Sequence, residues 1–504
     1  MGFLNAMKNE ILEDFNESTT ENGAVGYRTS GKSLLDLNFA ASSLRSASEE
    51  EIIERFKAAF FEDMVLAIKW LFFARDIRGG LGERRLFRTA MKFVAEHDAE
   101  IVKKLIPLIP EYGRFDDLWE FLPNARLKTA VVEYVKSRIG LDLINVSYGN
   151  SISLLGKWLP SANASSKQTK KHAKILMKSL GLEEKDYRKM LTALRKHIDV
   201  VETKMSAKRW DEINYEAVPS RANLIYSDAF LRNDKARRED FLSKLESGEA
   251  KINASTLFPH DIIHKYASDY HKLDPTVEAL WKALPNTVNE SSNTIVVADG
   301  SGSMCTTCGT GSVTALEVAN ALAIYFAEHS SGEFKDKYIT FSKRPQLVDF
   351  VNATSLRDKL SIARRYDEVA NTNIEAVFDL ILNTAQNNNL PQSDIPANVL
   401  IISDMEFDAC VTGNFGRVTD KLFKVIEKRY EDAGYKLPRL VFWNVNSRTN
   451  TIPVRENDMG VALVSGFSVN VCKMVMSGKT DPFECLLEQL NDERYDAITE
   501  ALIS

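Results

Sequence analysis

The chain has 504 residues, of which 44% are hydrophobic and 27% are charged, as in an ordinary globular protein with more than one domain. The net charge of −6 is small for this length and identifies no partner by itself. No apolar run approaches the ~20 residues of a membrane span, no signal-peptide core is visible, and the 5 cysteines are too few and odd for a disulfide framework, so we expect a cytoplasmic protein without a membrane partner.

Residues 1–25 are polar and are predicted to form an N-terminal tail or loop. The segment that follows, Gly26-Tyr-Arg-Thr-Ser-Gly-Lys32-Ser33, matches the Walker A pattern of phosphate-binding loops. A functional loop of this kind follows a buried strand, but the residues before Gly26 are polar. We therefore predict a loop that leads into a helix near Leu34; an NTPase or hydrolase would rest on this pattern alone.

Residues 34–285 carry helical periodicity almost throughout, with short clusters of glycine, proline and asparagine between the helices. Many short helices with short connections predict a stacked, HEAT-like α-solenoid or an irregular helical array over residues 26–288, and no fixed repeat period is visible. A basic cluster surrounds the glycine-rich turn at Gly79 and Gly80 and comprises Arg75, Arg78, Arg84, Arg85 and Arg88.

The segment 157–209 is the strongest charge anomaly, because it holds fourteen Lys/Arg against five Asp/Glu in an acidic chain. Clustered cations on helices attract phosphates, which favours nucleic acid over the alternative of a solvated charged face. Trp158, Tyr187 and Trp210 are interleaved and suited to stacking. The candidate RNA-binding residues are Lys157, Lys167, Lys170, Lys171, His172, Lys174, Arg195, Lys196 and Arg209.

Two further patterns are typical of metal sites but lack the necessary partners. His260 and His264 share one helical face, with His271 beyond, but no glutamate lies between them in the protease manner. Cys305-Thr-Thr-Cys308 has no second CxxC pair with the spacing of a zinc site. We expect packing or surface roles for the histidines and two thiols in a loop insertion.

From residue 294 onward, apolar β-branched runs alternate with helical stretches. This alternation predicts a doubly wound, mostly parallel, Rossmann-like sheet in residues 289–504. The first run is followed directly by Asp299-Gly-Ser301-Gly-Ser303. Carboxylate and hydroxyl oxygens at alternate positions suit a hard divalent cation, Mg²⁺ or another such as Mn²⁺ or Ca²⁺.

This stretch resembles the metal-ion-dependent adhesion site (MIDAS) of the von Willebrand factor A (vWA) fold. The resemblance implies two further ligands, which Thr372 and Asp404 are placed to provide. It also implies that Asp299 supplies direct charge, that Asp404 acts through water, and that Thr372 alternates between direct and water-mediated contact. An open coordination position would accept a carboxylate from a protein partner.

A helical first half joined to a vWA second half resembles the Ro/TROVE family, in which a helical ring binds ends of misfolded RNA and small non-coding RNA. Local phrases are similar to those of an uncharacterised domain-of-unknown-function family with the same layout. These are Thr20-Glu-Asn-Gly23, Leu34-Leu-Asp-Leu37, Arg75-Asp-Ile-Arg-Gly-Gly80, Glu111-Tyr-Gly-Arg-Phe-Asp-Asp117, Lys157-Trp-Leu-Pro160, Ser403-Asp-Met405 and Glu493-Arg-Tyr-Asp496.

No arrangement of nucleophile and base is recognisable, so we expect no enzyme. The resemblance and the basic segment together imply a non-enzymatic RNA-binding protein with Mg²⁺ at the MIDAS. A protein–protein adaptor, whose MIDAS docks an acidic residue without any nucleic acid, stays open as the alternative.

Overall fold

The computed structural model describes residues 4, 7, 15–266, 272–288, 293–309, 311–341, 344–367, 373–408, 422–453, 460–476 and 481–503. The chain forms two compact units. The sheet unit comprises residues 1–67 and 257–492, and the helical unit comprises residues 68–256 and 493–504. These units do not coincide with the domains expected from the sequence, because the N-terminal residues group with the sheet and the C-terminal residues group with the helices.

Helices occur in both units, and short connections join most of them. In chain order, the α-helices of the described residues are α1 (Ser33–Phe39), α2 (Glu49–Glu62), α3 (Met64–Arg75), α4 (Arg84–His97), α5 (Ala99–Leu105), α6 (Ile109–Tyr112), α7 (Lys128–Ser147), α8 (Leu155–Trp158), α9 (Lys167–Leu180), α10 (Glu184–Ile198), α11 (Val201–Ser206), α12 (Ser220–Ile225), α13 (Ser227–Asn233), α14 (Lys235–Glu246), α15 (Pro259–Lys265), α16 (Pro275–Lys282), α17 (Ala315–His329), α18 (Leu356–Ala363), α19 (Ile374–Asn387), α20 (Leu422–Asp432), α21 (Cys472–Met476), α22 (Pro482–Leu490) and α23 (Asp496–Ile503). The predicted helical region is confirmed, whereas its repeat type stays a prediction.

In the described parts of the chain, eight short strands form a two-stranded hairpin and a six-stranded sheet. The strands are β1 (Glu17–Thr19), β2 (Val25–Tyr27), β3 (Thr294–Asp299), β4 (Lys337–Phe341), β5 (Gln346–Asp349), β6 (Asn398–Ser403), β7 (Arg439–Asn444) and β8 (Val461–Ser465). The sheet has the order β5-β4-β3-β6-β7-β8, and all its neighbours are parallel except the edge pair β4–β5. The predicted mostly parallel sheet is therefore confirmed.

Helices cover both faces of this sheet. Successive residues of a strand point to opposite faces, and Phe442 and Trp443 of β7 show this directly. The ring of Phe442 lies 4.6 Å from that of Phe423 on α20, while the ring of Trp443 lies 5.4 Å from that of Phe326 on α17. Burial on both faces explains why these strands are continuous apolar runs rather than alternating ones.

The order of the strands reverses between β3 and β6. The chain runs outward from β3 through β4 to β5 and then returns to β6, which pairs with β3 in register from Thr294↔Asn398 to Ala298↔Ile402. In open sheets of this kind, ligands bind beyond the carboxyl ends of the strands at such a switch point. Asp299 ends β3 and Asp404 follows β6, so both carboxylates lie at this position.

Part of the segment predicted as a polar tail is instead an antiparallel hairpin, β1–β2, in the sheet unit. Tyr27 and Ile452 exchange backbone hydrogen bonds of 2.8 Å in both directions, and the Thr20 hydroxyl donates to the Phe407 carbonyl at 2.6 Å. Thr20 and Phe407 are 387 residues apart in the chain, so the composition of the N-terminal segment gave no sign of this contact.

The Walker-like segment is built into this hairpin and the helix after it. A Cβ on Gly26 would lie 2.8 Å from the Ile452 carbonyl oxygen, so the backbones are too close for a side chain. Helix α1 begins at Ser33, whose N–H donates to Glu62 Oε2 at 2.6 Å, and Lys32 Nζ lies 3.6 Å from Glu62 Oε1. The Glu62 carboxylate thus accepts the helix N–H and pairs with the lysine that a phosphate-binding loop would direct at a phosphate.

The helical unit contains a buried ion network built on Asp117. Its side chain is fully buried and accepts hydrogen bonds from Arg75 Nε at 2.9 Å and from Arg88 Nε at 2.6 Å. Arg84 and Arg88 also lie within ion-pair distance of Asp116. Arg75 and Arg88 of the basic cluster around Gly79 and Gly80 are therefore neutralised inside the unit, whereas Arg78, Arg84 and Arg85 are exposed.

A second pair ties the C-terminal residues to the same unit. Arg494 Nη2 donates to the buried Asp76 carboxylate at 2.9 Å, and the ring of Tyr495 stacks on that of Tyr112 at 5.7 Å. The phrases that start at Arg75, Glu111 and Glu493 thus meet in one cluster, although they are far apart in the chain.

We expect Asp117→Asn to lower the free energy of unfolding of the helical unit by about 3–5 kcal/mol, because it leaves two arginines partly uncompensated in a buried site. Urea unfolding followed by circular dichroism measures the change. Asp186→Asn is the matched control, since Asp186 is exposed and lies 3.9 Å from Lys189, and it should cost less than about 1 kcal/mol. Equal losses in both variants would contradict the role given to the network.

Candidate metal centre and basic helical face

The Asp-x-Ser-x-Ser loop leaves β3 with its oxygens gathered together. The backbone N–H of Ser301 donates to Asp299 Oδ1 at 2.9 Å, which turns the loop back over the strand end. A 3₁₀ turn at Gly302–Cys305 follows and brings Ser303 Oγ to 3.0 Å from Ser301 Oγ. The carboxylate and both hydroxyls therefore share one small region, as the sequence predicts.

Asp404 joins this region through the adjacent strand. The Ser403 hydroxyl donates to Asp299 Oδ2 at 2.7 Å, which links the ends of β6 and β3. The Ser303 hydroxyl is close enough to the Asp404 carboxyl to lower its pKa against the effect of burial. Met405 adopts the left-handed conformation with φ of 63°, which is strained for a side chain of this size and turns the chain sharply after Asp404.

The structure thus brings together four of the five predicted ligands, and the fifth, Thr372, lies outside the described residues. Helix α19 begins two residues later at Ile374, with the Asn373 side chain accepting from the Ala376 N–H as its N-cap.

The two carboxylates are buried and perturb each other. Burial, reinforced by the nearby charge of Asp404, raises the pKa of Asp299 to about 7, although the Ser403 hydroxyl opposes the shift. Burial also raises the pKa of Asp404, while Ser303 and the charge of Arg448 act in the opposite direction. Two buried acids that resist ionisation in each other's presence are stabilised by a cation, which compensates both negative charges.

The oxygen set fits a small divalent cation. Ligands at about 2.0–2.1 Å in octahedral geometry lie about 3 Å from their neighbours, and the two serine hydroxyls are 3.0 Å apart. No group of three or more His, Cys, Asp or Glu side chains suited to a metal occurs among the described residues. The described histidines agree with the packing role that we expected: His264 Nδ1 lies 3.0 Å from Glu317.

Three residues beside the site carry no signal in the sequence. Arg448 Nη1 donates to Asp404 Oδ2 at 2.9 Å. Glu406 is fully buried and accepts from the backbone N–H of Arg448 at 2.8 Å and of Glu21 at 2.8 Å. Glu406 follows Asp404 closely in the chain, but Glu21 and Arg448 reach the site only through tertiary contacts.

In the helical unit, α9 presents an unusually basic face. Its lysines recur every three to four residues, all are exposed, and the helix contains no acidic residue. Within the described structure, none of these lysines lies within 4.0 Å of a carboxylate oxygen. They are Lys167, Lys170, Lys171, Lys174 and Lys178, of which sequence analysis singled out the first four.

The exposed side of α10 adds further cations. These are Lys185, Arg188, Lys189 and Lys196, beside Glu184, Thr192 and Ala193. Only Lys196 was among the predicted RNA-binding residues. The others were recognisable in the sequence as lysine and arginine, but their placement on one helical face was not part of the prediction.

Four predicted RNA-binding residues have other roles in the structure. The Arg195 guanidinium donates to the carbonyls of Gly156 and Leu159 at 3.0 and 2.9 Å, so it supports the packing of α8 and α10. His172 is buried, with Nε2 2.8 Å from Gln168, and Arg209 pairs with Glu212 at 3.0 Å. Lys157 is half-buried, with Nζ 5.8 Å from the ring centre of Trp158.

The aromatic residues suggested for base stacking also contact other residues of this chain. The Arg114 guanidinium lies 4.0 Å from the ring centre of Trp158, and buried Tyr187 donates its hydroxyl to the Pro160 carbonyl at 2.9 Å. The ring of Trp210 packs edge-on against Phe230 at 6.5 Å. The basic segment therefore offers lysines and arginines rather than stacking platforms.

None of the helices in the described residues has the length and apolar character needed to cross a membrane.

Comparison with known proteins gives matches along nearly the whole chain. A family model described as a domain of unknown function (DUF2828) matches residues 20–111 and 132–296, and another (DUF7788) matches residues 293–500. The uncharacterized protein L728 of Acanthamoeba polyphaga mimivirus is 30% identical over 518 residues, which cover 94% of this chain and 87% of that protein. The crystal structure of the Deinococcus radiodurans RO (RSR) protein aligns with 86% of this chain and 97% of its own at 14% identity, but its TM-score of 0.40 is too low to establish a common fold.

The raised pKa of Asp299 predicts how pH acts on stability. Without a divalent cation, the protonated carboxyl stabilises the fold fully below about pH 4, and this contribution is lost as the pH rises to about 7. We expect the free energy of unfolding to fall by up to about 1.4 kcal/mol per pH unit across this window. Mg²⁺ should suppress the fall, because it stabilises the ionised pair; urea unfolding at several pH values measures both.

Asp299→Asn should remove the contribution of Asp299 to the pH dependence of the free energy of unfolding. Asp358→Asn is the control, because hydrogen bonds from Arg357 and Ser355 lower the pKa of Asp358 to about 2, outside the window. Identical pH dependence in the wild type and in Asp299→Asn, with or without Mg²⁺, would contradict the assignment of the buried pair.

Proposed function

The chain belongs to the family of the domain of unknown function DUF2828, and from that premise we propose that it is a non-enzymatic, Ro-like RNA-binding protein. The helical unit binds small non-coding RNA or single-stranded RNA ends through the exposed cations of α9 and α10. The observation that carries this proposal is the row of unpaired lysines on α9. A face of exposed cations without acidic partners is suited to a polyanion, whereas an ordinary solvated face mixes both signs.

The geometry of these cations supports binding to a phosphate backbone. Lys167 and Lys178 are eleven positions apart, so the α9 row extends about 16 Å at about 1.5 Å per residue. A row of this length spans several phosphates of an RNA strand. Contacts to phosphate release counterions and carry no base specificity. This mode of binding needs no base stacking, and Trp158 and Tyr187 already have partners within the fold.

We also propose that the sheet unit is a vWA domain that holds Mg²⁺, or Mn²⁺ or Ca²⁺, at a MIDAS. The ligands would be Asp299, Ser301, Ser303, Thr372 and Asp404. The 3.0 Å spacing of the serine hydroxyls and the two buried carboxylates support this proposal. When bound, the cation supplies a Lewis-acidic position for an oxygen ligand, and a carboxylate of a protein partner fits that chemistry.

This metal centre is the observation that favours the second candidate function, a protein–protein adaptor. Its residues belong to the sheet unit alone, so it does not depend on RNA. Capture of protein partners that is abolished by a chelator and contains no RNA would favour the adaptor over the RNA-binding protein.

Filter binding of single-stranded RNA at about 50 mM and about 200 mM salt tests the RNA proposal. We expect affinity to fall steeply with salt in the wild type. Reversal of three charges, Lys170→Glu, Lys171→Glu and Lys174→Glu, should weaken binding at least about tenfold and lower the log–log salt slope by about 2, since each lost phosphate contact contributes about 0.7.

The matched control is Lys235→Glu, Lys244→Glu and Lys251→Glu, which makes the same change of charge elsewhere in the helical unit. Lys235 and Lys244 already pair with Glu239 and Asp240. Binding that is insensitive to salt, or that both triple variants weaken equally, would eliminate the α9 face as the RNA site.

A further inference from the structure

Arg448 connects the candidate metal centre with the N-terminal hairpin. On one side, Nη1 donates to Asp404 Oδ2 at 2.9 Å. On the other side, Nε donates to Glu21 Oε2 at 2.6 Å, and Nη2 pairs with the same carboxylate. The Arg448 guanidinium therefore bridges two carboxylates. Asp404 is buried in the candidate metal centre, and Glu21 is exposed in the turn between β1 and β2.

The hairpin is held in this position by contacts that do not involve the guanidinium. Buried Glu406 accepts from the Glu21 N–H at 2.8 Å, and its carbonyl accepts from the Asn22 side chain at 2.6 Å. The same carboxylate accepts from the backbone N–H of Thr449 at 2.9 Å. Glu406 thus positions Glu21 and the backbone of Arg448 together beside Asp404.

The two carboxylates differ in exposure. The side chain of Asp404 is fully buried, that of Arg448 is 31% exposed and that of Glu21 is 58% exposed. In the buried site, a positive charge on Arg448 compensates Asp404 but repels a second cation. Towards solvent, Glu21 offers the same guanidinium an alternative partner at a short distance.

We propose that Arg448 is the resident cation of this centre, that a divalent cation competes with it for Asp404, and that Glu21 is the acceptor that retains it. This inference rests on the proposed metal site and concerns its regulation. When the site binds a divalent cation, the guanidinium gives up Asp404 and stays with Glu21. Docking of the hairpin therefore favours cation binding, and by linkage the cation favours the docked hairpin.

The proposal predicts opposite effects for the two partners of the ion pair. Arg448→Gln removes the competing charge and should raise the affinity for Mn²⁺ about tenfold at low ionic strength. Glu21→Gln removes the alternative acceptor and should lower that affinity a few-fold. In Glu21→Gln with Arg448→Gln, the effect of Glu21 should largely disappear, because Glu21 acts through Arg448.

Mn²⁺ titration of the full chain, freed of nucleic acid, by calorimetry or electron paramagnetic resonance measures these affinities. Arg448→Lys keeps the charge and separates its effect from packing, so its affinity should stay close to that of the wild type. The controls are Arg357→Gln and Asp358→Asn, a surface pair of the same unit that should leave Mn²⁺ affinity unchanged.

A merely structural role for the bridge would lower Mn²⁺ affinity in both Arg448→Gln and Glu21→Gln, and that result would overturn the proposal. So would unchanged affinity in both variants. If Arg448→Gln does not fold, an affinity in Glu21→Gln that equals or exceeds that of the wild type overturns the proposal by itself. Absence of Mn²⁺ binding in the wild type would instead reject the metal site and this inference with it, while leaving RNA binding by α9 untouched.

Discussion

Asp299 and Asp404 are buried together where the strand order of the sheet reverses, and the surrounding structure compensates this pair of charges. Burying two carboxylates is unfavourable unless hydrogen bonds or cations replace the lost solvent. Serine hydroxyls supply the first kind of compensation: the Ser403 hydroxyl donates to Asp299, and the Ser303 hydroxyl lowers the pKa of Asp404. Arg448 supplies the second kind. The pKa values of both carboxyls nevertheless stay raised, so one arginine compensates the pair only in part. A divalent cation would enter by exchange with Arg448 at Asp404.

The N-terminal segment is part of that balance. The sheet presents the carboxyl ends of β6, β7 and β8 as a rim, and residues from the start of the chain cover it. The Ser42 hydroxyl donates to the Asn444 carbonyl at 3.0 Å, and the Ser42 N–H donates to Ser465 at 3.0 Å. Closer to the metal centre, Glu406 holds the hairpin by its backbone. A segment whose composition is that of a polar loop is thus required to complete the rim of the sheet.

Charge has a different function in the helical unit. Arginines are drawn into buried or half-buried networks, as with Arg75, Arg88 and Arg195, because a planar guanidinium satisfies several acceptors at once. The five lysines of α9 are exposed, and the helix contains no acidic residue. Because arginines such as Arg195 support the packing of helices, a count of basic residues overstated the free positive surface.

Local sequence patterns were sufficient to predict those features that depend mainly on neighbouring residues in the chain. Helical periodicity indicated the helical region, and continuous apolar runs indicated strands buried on both faces. Since parallel strands end at one edge of a sheet, the runs before Asp299 and Asp404 also placed both carboxylates together. The sequence alone therefore determined the class of fold and most of the candidate metal centre.

Only the tertiary structure decided which charges are compensated and by what. The pairing of β2 with Ile452, the bridge from Glu21 through Arg448 to Asp404, and the network at Asp117 all join residues that are distant in the chain. Burial and charge pairing depend on the complete three-dimensional environment of a side chain, and no local period encodes it. For this reason the sequence indicated that Lys170 and Arg195 are both basic, and only the fold showed that the first is exposed while the second holds two helices together.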